Sequence, residues 1–116
     1  MLNIGRIHHI AIICSDYQKS KTFYTEILGF KLLSEIYRAE RQSYKADLAV
    51  NSNYQVELFS FPRPPNRPSR PEATGLRHIA FEVDDVNATV QLLLQKNIIA
   101  EPIRIDEYTG KRFTFI

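Results

Sequence analysis

The chain has 116 residues, a length that suits one domain with a single modest core. With 44% hydrophobic and 24% charged residues it is not a disordered segment, and no apolar run reaches the length of a membrane span. The net charge of +2, with Lys and Arg scattered among acidic residues, excludes a binder driven by nucleic-acid electrostatics.

The N-terminal MLNIGRIHHI carries no secretory pattern. The first expected strand is Ile7–Ile13, within IHHIAIICSD. The only cysteine, Cys14, directly follows it. A lone cysteine cannot form an internal disulfide, so a reducing cytoplasm is the expected compartment, and Cys14 reads as a small buried apolar residue. Ser15-Asp16 is placed to cap a helix over YQKSKTFYTEIL. There Phe23/Ile27 and Tyr24/Leu28 recur at i, i+4, and Gly29 is the stop. Three strands follow, Phe30–Arg38, Tyr44–Val50 and Tyr54–Phe61.

The segment 62–75 then carries Pro62, Pro64, Pro65, Pro68 and Pro71. Pro65 and Pro68 satisfy a P-x-x-P ligand pattern, but a stiff connector is the simpler reading. After it, LRHIAFEVDD repeats the first strand at an offset of 69 residues, His9 matching His78. Arg77–Val83 is the expected strand and Asp84-Asp85 the cap. In the helix VNATVQLLLQK, Val86, Val90, Leu93 and Leu94 share a face, and the stop is near Asn97. KRFTFI is the expected third strand of this second unit. The fold class is therefore α+β, with paired βαβββ modules in one domain: the first at about 5–61, a linker over 62–75, and a truncated second module over 76–116.

Alternation along strands assigns faces. Ile10 and Ile12 share one face of the first strand, and His9 and Ala11 the other. In the repeat, Ile79, Phe81 and Val83 oppose His78 and Ala80. His8 falls on the bulky side and is expected to be an edge residue, not a partner of His9. In YQVELFSF, Val56 and Leu58 cover the helix, which leaves Gln55, Glu57, Phe59 and Phe61 on the histidine face. A carboxylate in an apolar strand needs a cation, hydrogen bonds or a metal. Imidazole plus carboxylate suits Ni²⁺, Zn²⁺, Co²⁺, Mn²⁺ or Fe²⁺ far better than Ca²⁺. A hydrogen-bonded core remains the other reading of His9, Glu57 and His78.

The two H-I-A strands, the S-x-x-F-Y-x-x-x-L-G-F pattern from Ser20 to Phe30, QVELF and LRHIAFEVDDV together resemble the vicinal oxygen chelate superfamily, closest to glyoxalase I-like proteins. The resemblance covers nearly the whole chain. It implies paired βαβββ modules in an open, incompletely closed β-barrel, with helices outside, around one divalent metal. It carries the ligand positions to His9, Glu57 and His78, and a fourth, a Glu, to a position near 126, beyond residue 116. The chain is therefore expected to be an incomplete copy of a longer protein, with weak metal retention and poor activity.

The implied chemistry is that of a lactoylglutathione lyase-like carbon–sulfur lyase or isomerase acting on a small thiol adduct such as a hemithioacetal. The metal stabilises an enediolate and Glu57 moves the proton. Phe59 and Phe61 are candidate substrate contacts. Arg112, opposite Phe113 and Phe115 in alternation, is another. Arg38, Lys45, Arg77, Lys111 and Arg112 are candidate anion holders, with solvation as the simpler fate of each. An acyl-CoA epimerase, an extradiol dioxygenase and a metal-free, bleomycin-resistance-like binding dimer are the alternatives on this scaffold. All place a cavity at a module seam, and an unclosed module edge favours a homodimer.

Overall fold

The computed structural model describes residues 1–116. The chain divides into two compact units, Met1–Ser69 and Arg70–Ile116, and the division falls inside the proline-rich stretch.

Unit 1 has the order β1 (Ile10–Ile13), α1 (Tyr17–Thr22), a π-helical turn (Phe23–Ile27), β2 (Lys31–Arg38), a 3₁₀ turn (Ala39–Arg41), β3 (Ser43–Val50) and β4 (Asn53–Phe59). This is a βαβββ unit. Its four-stranded sheet, ordered β1-β4-β3-β2, is open and not closed into a barrel. β1 runs parallel to β4, and the other neighbours are antiparallel.

Local chemistry sets the helix ends. The Asp16 carboxylate accepts the Lys19 amide at 3.0 Å and so satisfies one of the free donors of the first turn. The expected helix to Leu28 forms, but its second half is widened: the Leu28 amide donates to Phe23 O, five residues back, at 2.9 Å. Gly29, at φ +80, ends it in the left-handed region where a side chain would be strained. The turn leaves Tyr24 and Phe30 against the buried cluster of Cys14, Ala46, Leu48, Val56 and Leu58, along with Ile12 and Tyr17. This is the helix-covering face that alternation assigned, and it includes Cys14 as a buried thiol. Burial pushes that thiol up, away from its reactive form.

Both β1 and β4 depart from their expected bounds. The register steps between Leu48↔Val56 and Ala49↔Tyr54, so Gln55 is an extra residue in β4. The parallel ladder of β1 reaches only Ile10↔Val56, so the strand begins at Ile10 and not at Ile7. β4 likewise ends at Phe59, two residues short of the expected Phe61.

In unit 2, α2 (Val86–Gln95) is capped by the Asp85 carboxylate, which accepts the Ala88 amide at 3.0 Å. Asn97, at φ 62, lies just past its end, as expected. Val86 and Val90 are half-buried and Leu93 is buried, whereas Leu94 is exposed, one residue around the helix from the buried stripe. β5 (Arg104–Ile105) pairs antiparallel with β6 (Arg112–Phe113), so KRFTFI contributes only two strand residues. The expected strand Arg77–Val83 does not form. In unit 1 the equivalent strand is held by its pairing with β4. No helix is long and apolar enough to cross a membrane.

Helix α1 is fastened to β2 through one carboxylate. Glu35 accepts from the Tyr17 hydroxyl at 2.5 Å and meets the Lys21 ammonium at 2.8–2.9 Å. Lys21 first, and then Tyr17, hold the Glu35 carboxyl below its ordinary range against the opposing effect of burial. A lowered carboxylate pKa stabilises the fold above the unfolded pKa, and the contribution is lost as pH falls through the folded value. Glu35→Gln is expected to cost about 1 kcal/mol in urea unfolding at neutral pH. The variant and parent curves should converge on acidification; a constant gap across the acid range would show that the ion pair contributes nothing.

Candidate functional site

The face of the unit 1 sheet away from α1 carries the chemistry. Asp47 lies directly across from Glu57, and Lys45 across from Phe59. Glu57 retains only 8% exposure and is the one acidic residue among the buried polar groups. A carboxylate there is tolerable because several groups converge on it. Lys45 Nζ lies 3.0 Å from Glu57 Oε1 and 3.1 Å from Asp47 Oδ1. The Tyr54 hydroxyl donates to Glu57 Oε1 and lies 3.1 Å from Asp47 Oδ1. The Ser34 hydroxyl closes the group on Asp47 Oδ2 at 2.9 Å.

The second Glu57 oxygen, Oε2, faces His9 Nε2 at 3.2 Å. On the other side of that ring, His9 Nδ1 meets His8 Nδ1 at 2.8 Å. His8 is thus a partner of His9 and not a mere edge residue. The alternation that separated the two fails because both precede β1 and are not in a strand. Both rings pack against Tyr54, at centroid distances of 5.5 and 6.0 Å.

The electrostatics are consistent around the cluster. Burial opposes ionisation of Glu57, but the Tyr54 hydroxyl, Lys45 and His9 outweigh it and hold the carboxyl below its usual range. Asp47 is likewise lowered against burial by Lys45, Ser34 and Tyr54. Asp47 and then Glu57 raise Lys45. Burial and then the two carboxylates push the Tyr54 phenol up, so it remains a donor. Two carboxylates against one ammonium leave a local excess of negative charge facing His9.

Sequence reasoning placed Lys45 among solvated surface cations, and it missed Asp47 and Tyr54. Asp47 was legible, since it shares the face of Lys45 two residues along β3. Tyr54 was not: simple alternation puts it opposite Glu57, and only the extra residue Gln55 returns it to the same side.

The remaining candidates are placed as follows. Phe59 and Phe61 stack at 6.1 Å, and Arg38 lies over both rings. His78 belongs to unit 2, where its ring meets Phe115 edge-on at 5.7 Å. Arg112 is exposed in β6, opposite Ile105, and it is Arg104 that covers Phe113 and Phe115.

Two cis ligands of a divalent ion, each about 2.1 Å from it, lie about 3 Å apart. His9 Nε2 and Glu57 Oε2 have that separation, an ionised oxygen and an imidazole nitrogen turned to one point. The pair therefore fits two positions of a metal site. No third His, Cys, Asp or Glu joins them in a ligand cluster.

Residues 6–116 match the family model described as the Glyoxalase/Bleomycin resistance protein/Dioxygenase superfamily. The chain is 61% identical to the uncharacterized protein YaeR of Escherichia coli over 99% of this chain and 89% of that protein. It is similar to the crystal structure of the glyoxalase family protein from Enterococcus faecalis, with a TM-score of 0.86 and 45% identity over 95% of this chain and 86% of that one. It is also 32% identical to the mitochondrial methylmalonyl-CoA epimerase of Homo sapiens, over 98% of this chain and 67% of the epimerase.

Removing the central cation tests the account of the cluster. Lys45→Met leaves Asp47 and Glu57 facing each other and is expected to cost about 2 kcal/mol. Adding Glu57→Gln to that variant should recover part of the loss, giving a measurable coupling in a double-mutant cycle of urea unfolding. Additive effects would show that the two side chains do not depend on each other.

Proposed function

Because the chain belongs to the Glyoxalase/Bleomycin resistance protein/Dioxygenase superfamily, we propose that it is a metal-dependent lyase or isomerase of the glyoxalase I type. Its reaction would be proton transfer at a carbon beside a carbonyl in a small thiol-derived substrate. The observation that carries this reading is the His9–Glu57 pair, an ionised carboxylate held 3.2 Å from an imidazole in a buried strand. His9 and Glu57 would hold the ion, and His78 is proposed as a third ligand from its repeat position. When bound, a divalent ion would polarise the substrate oxygens and favour negative charge on them.

The chain's own groups supply the rest. Lys45 and Tyr54 anchor Glu57 through Oε1 and so leave Oε2 as the oxygen able to accept a proton. In the step, Glu57 Oε2 would give up its ligand position to the arriving substrate, the substrate C–H bond breaks, the proton passes to that oxygen, and the electron pair moves toward the neighbouring carbonyl oxygen. Return of the proton to the adjacent carbon isomerises the substrate; protonation of the same carbon on its opposite face, by a second donor, inverts it. His8 fixes the His9 ring through Nδ1, so that Nε2 stays turned to the site.

The second outcome is a specific alternative, acyl-CoA epimerisation, supported by the 32% identity to the human methylmalonyl-CoA epimerase. Both readings are tested in D₂O with a divalent ion supplied, using the hemithioacetal of methylglyoxal and glutathione in one arm and methylmalonyl-CoA in the other. The expected result is deuterium at the carbon beside the carbonyl in one arm, with Glu57→Gln slower by about 100-fold or more. Absence of exchange in both arms, or an unchanged rate in Glu57→Gln, would contradict the proposal.

A further inference from the structure

Arg38 is the unexplained cation of unit 1. It ends β2 directly opposite the buried Ser43, on the same sheet face as Lys45, Asp47 and Glu57. Its guanidinium carbon lies 4.9 Å from the centre of the Phe59 ring and 5.8 Å from that of Phe61, and one terminal nitrogen donates to the Ser43 hydroxyl at 2.9 Å. No carboxylate pairs with it: the ion pairs of the chain involve other cations. Its Nε–H is buried and has no hydrogen-bond partner.

These observations do not describe a solvated surface arginine. A half-buried guanidinium normally meets a carboxylate or phosphate, and an unsatisfied buried N–H carries a desolvation penalty that a bound acceptor would remove. The two rings hold the guanidinium plane in a fixed orientation, which reduces the entropy lost when a planar fork engages an oxyanion. Residues Arg38–Arg41 also line an open hollow at the 3₁₀ turn.

We propose that Arg38 is an anion-recognition residue, seated on the Phe59–Phe61 platform, which binds a carboxylate or phosphoryl group of the ligand. Phe59 follows Glu57 by two residues on one strand face, a step of about 7 Å. The ligand would therefore carry its oxyanion roughly that far from the reacting carbon, within the reach of a small molecule. This placement rests on the proton-transfer reading, but the anion site itself does not. It also gives Phe59 and Phe61 a role as the support of the binding group.

The test follows the Arg38 Nε–H and the Ser43 backbone amide signals by ¹H–¹⁵N NMR, the second serving in variants that lack the guanidinium, while inorganic phosphate, or in a second arm propionate, is titrated into the full chain. The expected result is a saturable shift with a Kd of about 1–10 mM in at least one arm. Preference for phosphate would assign a phosphoryl group, and preference for propionate a carboxylate. Arg38→Met should weaken binding about tenfold or more. Arg38→Lys, which keeps the charge but lacks the Nε–H and the fork, should also weaken it and provides the reading if the Met variant does not fold. Binding should persist in His9→Ala, and absence of proton exchange in the parent chain with retained anion binding would sink the proton-transfer reading alone. No shift in either arm, or equal binding in Arg38→Lys, would overturn the proposal.

Discussion

A carboxylate placed in the middle of a buried strand is the constraint around which unit 1 is arranged. Glu57 sits between Val56 and Leu58, both packed under α1, so it cannot leave the sheet without dismantling the core. Its charge must be met where it stands. Lys45 from β3, Tyr54 from β4 and His9 just before β1 do so, and each comes from a different segment. Register brings Lys45 within reach, and the bulge at Gln55 turns Tyr54 inward. The β1 ladder ends at Ile10↔Val56, next to that bulge, and His9 lies just before it. The local fold and the site therefore share one irregularity.

The sheet then separates two tasks. One face is apolar and covered by the helix, with Glu35, Lys21 and Tyr17 fastening its rim. The other carries Asp47, Lys45, Glu57, the two phenylalanines and Arg38. The helix-covering face buries Leu48, Val56 and Leu58, and the far face can hold polar groups because Lys45 bridges its two carboxylates. One oxygen of Glu57 remains for a cation or a proton, and at the other end of the face one N–H of Arg38 remains for an anion.

Much of this was legible in the residues. Periodicity located α2, and α1 together with the π-helical turn that continues it, to within a residue or two, and Asp16 and Asp85 marked their starts because a short acidic side chain satisfies the first-turn amides. Alternation placed His9 and Glu57 on one face. It failed where the chain is not a regular strand: at His8, which precedes the ladder, and at Tyr54, which lies across a bulge. Arg77–Val83 has the composition of a strand, yet a strand also needs a neighbour, and composition does not reveal whether one is present. Lys45 looked like a surface cation because its two carboxylate partners are identified only by cross-strand register.

The most direct test of the proposal that His9 and Glu57 bind one divalent ion, with His78 proposed as a further ligand by its repeat position alone, is metal content. Elemental analysis would compare untagged protein with a His9→Ala/His78→Ala variant after identical exposure to Ni²⁺, Zn²⁺, Co²⁺, Mn²⁺ and Fe²⁺. The account predicts close to one equivalent of a single metal in the parent and its loss in the variant. Equal metal content in the two proteins, or none in either after exposure, would contradict it and leave His9–Glu57 as a structural ion pair.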